Sequence, residues 1–184
     1  MPIVTTTYLQ SLSPAELRRA PSPDAADVAL RRAEVPSPAL SRFLYSAVGG
    51  DWYWRDRLSW SYARWMDYLA QPTVQTWVLY VQGTPAGYIE LQAQQDGRDV
   101  EIVYFGLMRE FIGRRLGGWL LSEGIARAWA MGPQRVWVHT CTLDGPHALA
   151  NYQSRGLQIY KTEDREVEDL GPPDGPWPGA DAAP

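Results

Sequence analysis

Cysteine is almost absent from this chain of 184 residues: Cys141 is the only one, so no disulfide can form within it. A lone thiol fits a reducing compartment, and the expected location is the cytoplasm. Histidine is nearly as scarce, with His139 and His147 alone. The spacing His139-x-Cys141 is too sparse for a metal site, and no metal is expected. No run of 18 or more apolar residues occurs, so no membrane association is expected. The opening MPIVTTTYLQ lacks the basic stretch and apolar run of a secretory leader. Excess positive charge is missing too, since 17 basic side chains face 21 acidic ones. That balance argues against a nucleic-acid partner and is compatible with a cationic substrate such as an amine.

What is present is apolar and aromatic, with 45% hydrophobic residues and nine tryptophans. This is enough for one domain with one sizeable core. Residues 2–8 read as a strand. Ser13-Pro14-Ala15-Glu16 has the form of a capping box, which predicts a short helix ending near Pro21, then a loop at 22–25. Val28 to Val35 reads as strand or helix alike. Ser37-Pro38 opens a helix that Gly49-Gly50 stops, and a second helix is expected across about 59–70.

From residue 75 the apolar period changes to two. Strands are expected at 77–81, 87–93 and 100–107, the last two joined at Asp96-Gly97. A helix over about 114–130, a strand at 135–140, a helix at 146–155 and a strand from Leu157 to about Val167 follow. The order predicts a mixed α/β domain over residues 1–170 around one central sheet. The stretch 171–184, rich in Pro, Gly, Asp and Ala, is expected as a flexible tail or one loosely laid on the surface.

The segment from Val100 to Leu121 carries the chemistry. It is a strand, then a short turn with glycines and arginines, then a helix; its glycines are Gly113, Gly117 and Gly118 and its arginines Arg114 and Arg115. A helix start offers unpaired N–H groups and the positive end of the helix dipole, which together suit a phosphate. Glycine lets the backbone approach such an anion. The segment is neither a P-loop nor a dinucleotide-binding fingerprint, because the lysine of one and the G-x-G-x-x-G of the other are missing. The bland alternative is a tight turn with close helix packing.

The run Ile112-Gly113-Arg114-Arg115-Leu116-Gly117, then Gly118-Trp119-Leu120-Leu121, resembles the [Q/R]-x-x-G-x-[G/A] signature of the GNAT family of N-acetyltransferases. The preceding Glu101-Ile102-Val103-Tyr104-Phe105-Gly106-Leu107 resembles the strand that carries the catalytic glutamate in the histone-acetylating branch. Downstream, Ala148, Tyr152, Gly156 and Leu157 match A-x-x-x-Y-x-x-x-G-F. Together these cover about residues 75–165. The departures are Ile112 at the first signature position, Arg115 at the usual fourth-position glycine, and Gly145 where asparagine is common.

The resemblance implies a mostly antiparallel sheet splayed between the fourth and fifth core strands. It implies acetyl-CoA as co-substrate and direct attack of an amine on the thioester. Carried over residue by residue, the cofactor side is Phe105, Gly106, Leu107, Ile112, Gly113, Arg114, Arg115, Leu116, Gly117, Gly118, Asn151 and Tyr152. Glu101 becomes the candidate base, with Glu90 in reserve, and strand alternation sets Glu101, Val103, Phe105 and Leu107 on one face. Tyr152 becomes the candidate acid toward the sulfur. A covalent step at Cys141 is not required. The aromatic-rich segment at about 37–70 is placed on the acceptor side, with Trp52, Trp54 and Glu90 as candidate contacts. Its rings are expected to wall an acceptor pocket, fill the core or line a homodimer contact. The acceptor is a small-molecule or protein amine.

Overall fold

The computed structural model describes residues 2–23 and 27–180. Its elements are β1 (Ile3–Ser11), β2 (Val28–Arg32), α1 (Pro38–Gly49), α2 (Tyr62–Leu69), β3 (Val74–Val81), β4 (Thr84–Gln94), β5 (Asp99–Leu107), α3 (Leu116–Ala130), β6 (Arg135–Cys141), α4 (Ala148–Ser154) and β7 (Gln158–Glu166). The strands form one sheet in the order β2-β3-β4-β5-β6-β1-β7. Every pairing is antiparallel except that of β5 with β6. The architecture is the mixed α/β one read from the pattern of elements.

Local chemistry sets the helix boundaries. Ser37 Oγ accepts from Leu40 N ahead of Pro38, and Ser61 Oγ accepts from Arg64 N. Ser61 is therefore a cap, and α2 starts later than the apolar stripe alone predicts. The helix expected after Ser13 shrinks to one 3-10 turn at Pro14–Glu16. Glu16 turns back to Ser11 Oγ and Leu12 N, both at 2.9 Å, and Arg18 N bonds the Arg155 carbonyl, so the chain leaves helical geometry at once. Val28–Arg32 resolves to a strand, because it pairs residue for residue with Trp77–Val81. Of the expected loop at 22–25, residues 24 and 25 lie outside the described residues.

The sheet divides two cores. On one face α3 packs Leu116, Leu120, Leu121 and Ile125 against Leu79, Ile89, Leu91, Val100, Ile102, Val136 and Val138. On the other, α1 lays Leu44, Ala47 and Val48 on Val78 and Tyr88. The position of β1 between β6 and β7 joins the two ends of the chain. Segment 170–180 is laid against the loop after α1. The Arg55 fork reaches Asp174 and the carbonyls of Leu170 and Pro172, and Gly175 N bonds the Gly50 carbonyl. Positions 181–184 of the expected tail lie outside the described residues.

One expectation needs correction. Glu101 does not share a face with Phe105 and Leu107. The β4–β5 register pairs Glu90 with Tyr104 but Leu91 with Ile102, so Val103 is an extra residue. Such a bulge shifts the alternation by one. Phe105 and Leu107 pack on the α3 side, whereas Tyr104 packs on the α1 side.

Candidate active site

The β5–β6 pairing extends only from Asp99–Arg135 to Glu101–Trp137. Beyond Glu101 the two strands part. From Ile102 to Leu107, β5 stays paired with β4, while its other edge has no ladder partner among the described residues. The bulge at Val103 falls where the strands diverge, and a bulge adds local bend and twist. The split thus has an open backbone edge on one wall and the root residue Glu101 at its base.

One end of the split leads to the start of α3. Gly113 has φ +83° and Arg115 has φ +60°, and Arg115 is the N-cap without a side-chain hydrogen bond. A non-glycine residue in the left-handed region costs on the order of 1 kcal/mol or more. At the start of α3 the N-cap side chain satisfies none of the first-turn N–H groups. A Cβ on Gly113 would meet nothing within 4 Å, so this glycine serves conformation. A Cβ on Gly118 would come within 3.0 Å of Arg155 and 3.2 Å of Ala20, so this one serves packing. Gly117 lies beside Leu107 and Asn151. Gly106 faces the other way, where a Cβ would sit 2.5 Å from Val48. Arg114 rests over the Phe111 ring at 5.1 Å, and Ile112 is half exposed. On α4, Tyr152 is buried with its ring edge-on to Phe105, 6.0 Å between centroids.

Two buried carboxylates stand on the α1 side of the sheet. Glu90 is 1% exposed and accepts from Arg57 at 2.9 Å and from Tyr68 Oη at 2.7 Å. Burial raises its pKa, and the Arg57 charge opposes that rise. Glu101 is 9% exposed and accepts from Gln94 Nε2 at 2.5 Å; Gln94 Oε1 in turn accepts from Trp137 Nε1. Burial raises the Glu101 pKa to about 6. His139 Nε2 lies 3.6 Å from Glu101 Oε1. Burial lowers the His139 pKa, against the charges of Asp144 and Asp56. Asp56 accepts from the Tyr45 and Tyr104 hydroxyls, and Asp144 from Thr140 Oγ1 and Cys141 N. Burial pushes the Cys141 thiol up, away from a nucleophilic thiolate.

The aromatic segment divides as well. The Arg57 guanidinium sits over four rings, at 4.3 Å from Tyr68, 4.6 Å from Trp60 and Tyr104, and 5.6 Å from Trp65. A box that would suit a substrate cation is thus filled by the protein's own. Trp54 packs inward on Tyr104, 4.7 Å between centroids, and against Gly49. Trp52 reaches instead to the loop between β6 and α4, where a Cβ on Gly145 would lie 3.5 Å from its ring. Sequence reasoning missed Arg57, Gln94 and His139. Strand alternation puts Trp137, His139 and Cys141 on one face of β6, but the register that brings His139 to Glu101 has no local signal.

A sequence profile of the acetyltransferase (GNAT) family matches residues 41–157. The chain belongs to the GNAT family. Among solved structures it is similar to a GCN5-related N-acetyltransferase from Kribbella flavida, with a TM-score of 0.62 and 17% identity over 86% of this chain and 55% of that one. A GCN5-related N-acetyltransferase from Sphaerobacter thermophilus gives a TM-score of 0.61 at 16% identity, over 88% of this chain and 50% of that one. An aminoglycoside acetyltransferase from an uncultured soil metagenomic sample gives 0.56 at 14% identity, over 70% and 86%. The chain spans about half the length of the first two. No curated protein sequence matches it.

Proposed function

We propose that this chain transfers an acetyl group from acetyl-CoA to a primary amine by direct attack in a ternary complex. The observation that carries the reading is the split itself: a β5 edge with no ladder partner among the described residues runs from the buried Glu101 to a helix start whose N-cap makes no side-chain hydrogen bond. Acetyl-CoA supplies the thioester and a diphosphate. The N–H groups over Ile112–Gly118, with Arg114 and Arg115 beside them, suit the diphosphate by hydrogen bonding and by the helix dipole. The backbone of Phe105, Gly106 and Leu107 suits an extended amide arm as an added strand would. Asn151, beside Gly117 and Gly118, adds a polar contact.

Glu101 removes the proton of the acceptor ammonium, for which a carboxylate near pKa 6 is far better matched than one near 4.5. Tyr152 protonates the leaving sulfur. On the acceptor side, Asp56, Glu101 and Asp144 give the site a negative field that favours an ammonium group. Trp52, beside Gly145, walls this side, and Trp54 and Glu90 sit in the cluster around Tyr104 and Arg57. The acceptor is a small-molecule or protein amine, and the compartment is the cytoplasm.

Acetyl-CoA is expected to raise the thermal unfolding midpoint, because a ligand of the native state alone stabilises it. A panel of primary amines is then expected to release thiol from acetyl-CoA in the presence of the protein. A midpoint that stays put at millimolar acetyl-CoA would remove the reading.

A further inference from the structure

Acetyl transfer from a thioester to an alkylammonium yields an amide, a thiol and one proton per turnover. On the reading above, that proton arrives on Glu101, whose side chain is only 11% exposed. Gln94 closes one of its oxygens. The other faces the His139 imidazole, 3.6 Å away and 48% exposed. We propose that His139 carries the proton from Glu101 to solvent and so resets the base for the next turnover, an inference that rests on Glu101 acting as base.

The steps balance. One ammonium N–H bond breaks as Glu101 Oε1–H forms, and the second proton that the nitrogen sheds on becoming an amide replaces the one Tyr152 gives to the sulfur. After the amide is made, that O–H bond breaks as His139 Nε2–H forms, and the imidazolium then gives one proton to water. No oxidant or further reactant is needed. The separation is too long for a hydrogen bond, so one closing movement or one water joins the pair.

Several elements face His139. Glu101 lies on β5, Asp56 on the loop after α1 and Asp144 on the loop after β6. Tyr8 on β1 and Trp137 on the same strand as His139 lie tilted beside the imidazole, at 5.8 and 6.1 Å between centroids. Burial moves the two proton affinities toward each other, lowering that of His139 and raising that of Glu101. Transfer between them is therefore not steeply uphill. The three surrounding carboxylates favour the imidazolium that forms. His139 acts through Glu101 and is a positioning residue for the proton, not a group that touches the thioester.

The test is His139→Gln, assayed near pH 8 by rapid quench and at steady state. Glu101 starts ionised, so the first turnover is expected at the wild-type rate. Later turnovers are expected to slow about tenfold in weak buffer and to recover when imidazole is added. Glu101→Gln is expected to slow the first turnover, with no recovery. A His139→Gln protein slowed equally in the first turnover, or unchanged in the later ones, would overturn the relay while leaving acetyl transfer intact. No product from the wild-type protein in any turnover would overturn both.

Proton titration by NMR provides a check independent of turnover. At 3.6 Å, removing the Glu101 charge is expected to lower the His139 midpoint by about one pH unit. An unmoved midpoint would contradict the coupling on which the relay depends.

Discussion

Two glutamates on the same side of one sheet meet opposite fates. Glu90, under α1 and α2, is locked between Arg57 and Tyr68, with four aromatic rings around the cation. Glu101, at the root of the split, accepts a hydrogen bond from the neutral amide of Gln94. Burial raises the proton affinity of both. The difference lies in the direct partner: Arg57 and Tyr68 both bond Glu90 and hold it in place, whereas Glu101 bonds the Gln94 amide and keeps its second oxygen facing His139. A buried charge is thus structural or chemical according to what neutralises it.

That contrast is broken most severely at the base. Glu101→Gln is expected to lower kcat by about 10²–10⁴ near pH 8 with acetyl-CoA affinity unchanged, measured by thiol release and calorimetry. Next comes Glu90→Gln, which leaves the Arg57 guanidinium buried without its counter-charge. A loss of about 3–5 kcal/mol in urea unfolding is expected. Glu101→Gln should move stability the other way. Because the Glu101 pKa is raised when folded, its contribution is full below about 4.5 and lost as pH rises through about 6. At pH 8 the neutral variant is expected to be more stable by about 2 kcal/mol. If both variants lose stability alike, the contrast fails. Smallest is Tyr152→Phe, expected to lower kcat about tenfold with little change in acetyl-CoA affinity; an intact kcat would remove Tyr152 as the acid.

Much of this was legible because the signals are local. Ser37-Pro38 and Gly49-Gly50 bound a helix, Gly113 marks a positive-φ turn, and the fixed distance from Glu101 to the glycine turn ties a strand to a helix start. The bulge at Val103 was not legible, since it depends on how β4 and β5 align, and one extra residue reverses every later side chain. The place of β1 between β6 and β7 is set by pairings such as Ser11 with Val136 and Ile3 with Glu166, far apart in sequence, which leave no periodic trace. Arg57 was hidden for a related reason. Nothing in Arg55-Asp56-Arg57 distinguishes the arginine that enters the aromatic box from the one that grips segment 170–174.

The most direct test is kcat/KM against pH between 5 and 8, a window in which an alkylammonium acceptor stays protonated. The wild-type protein should lose activity toward acid with a midpoint near 6, set by Glu101, and Glu101→Gln should show no such limb. Profiles of the same shape for both proteins would contradict a mechanism that begins at this carboxylate.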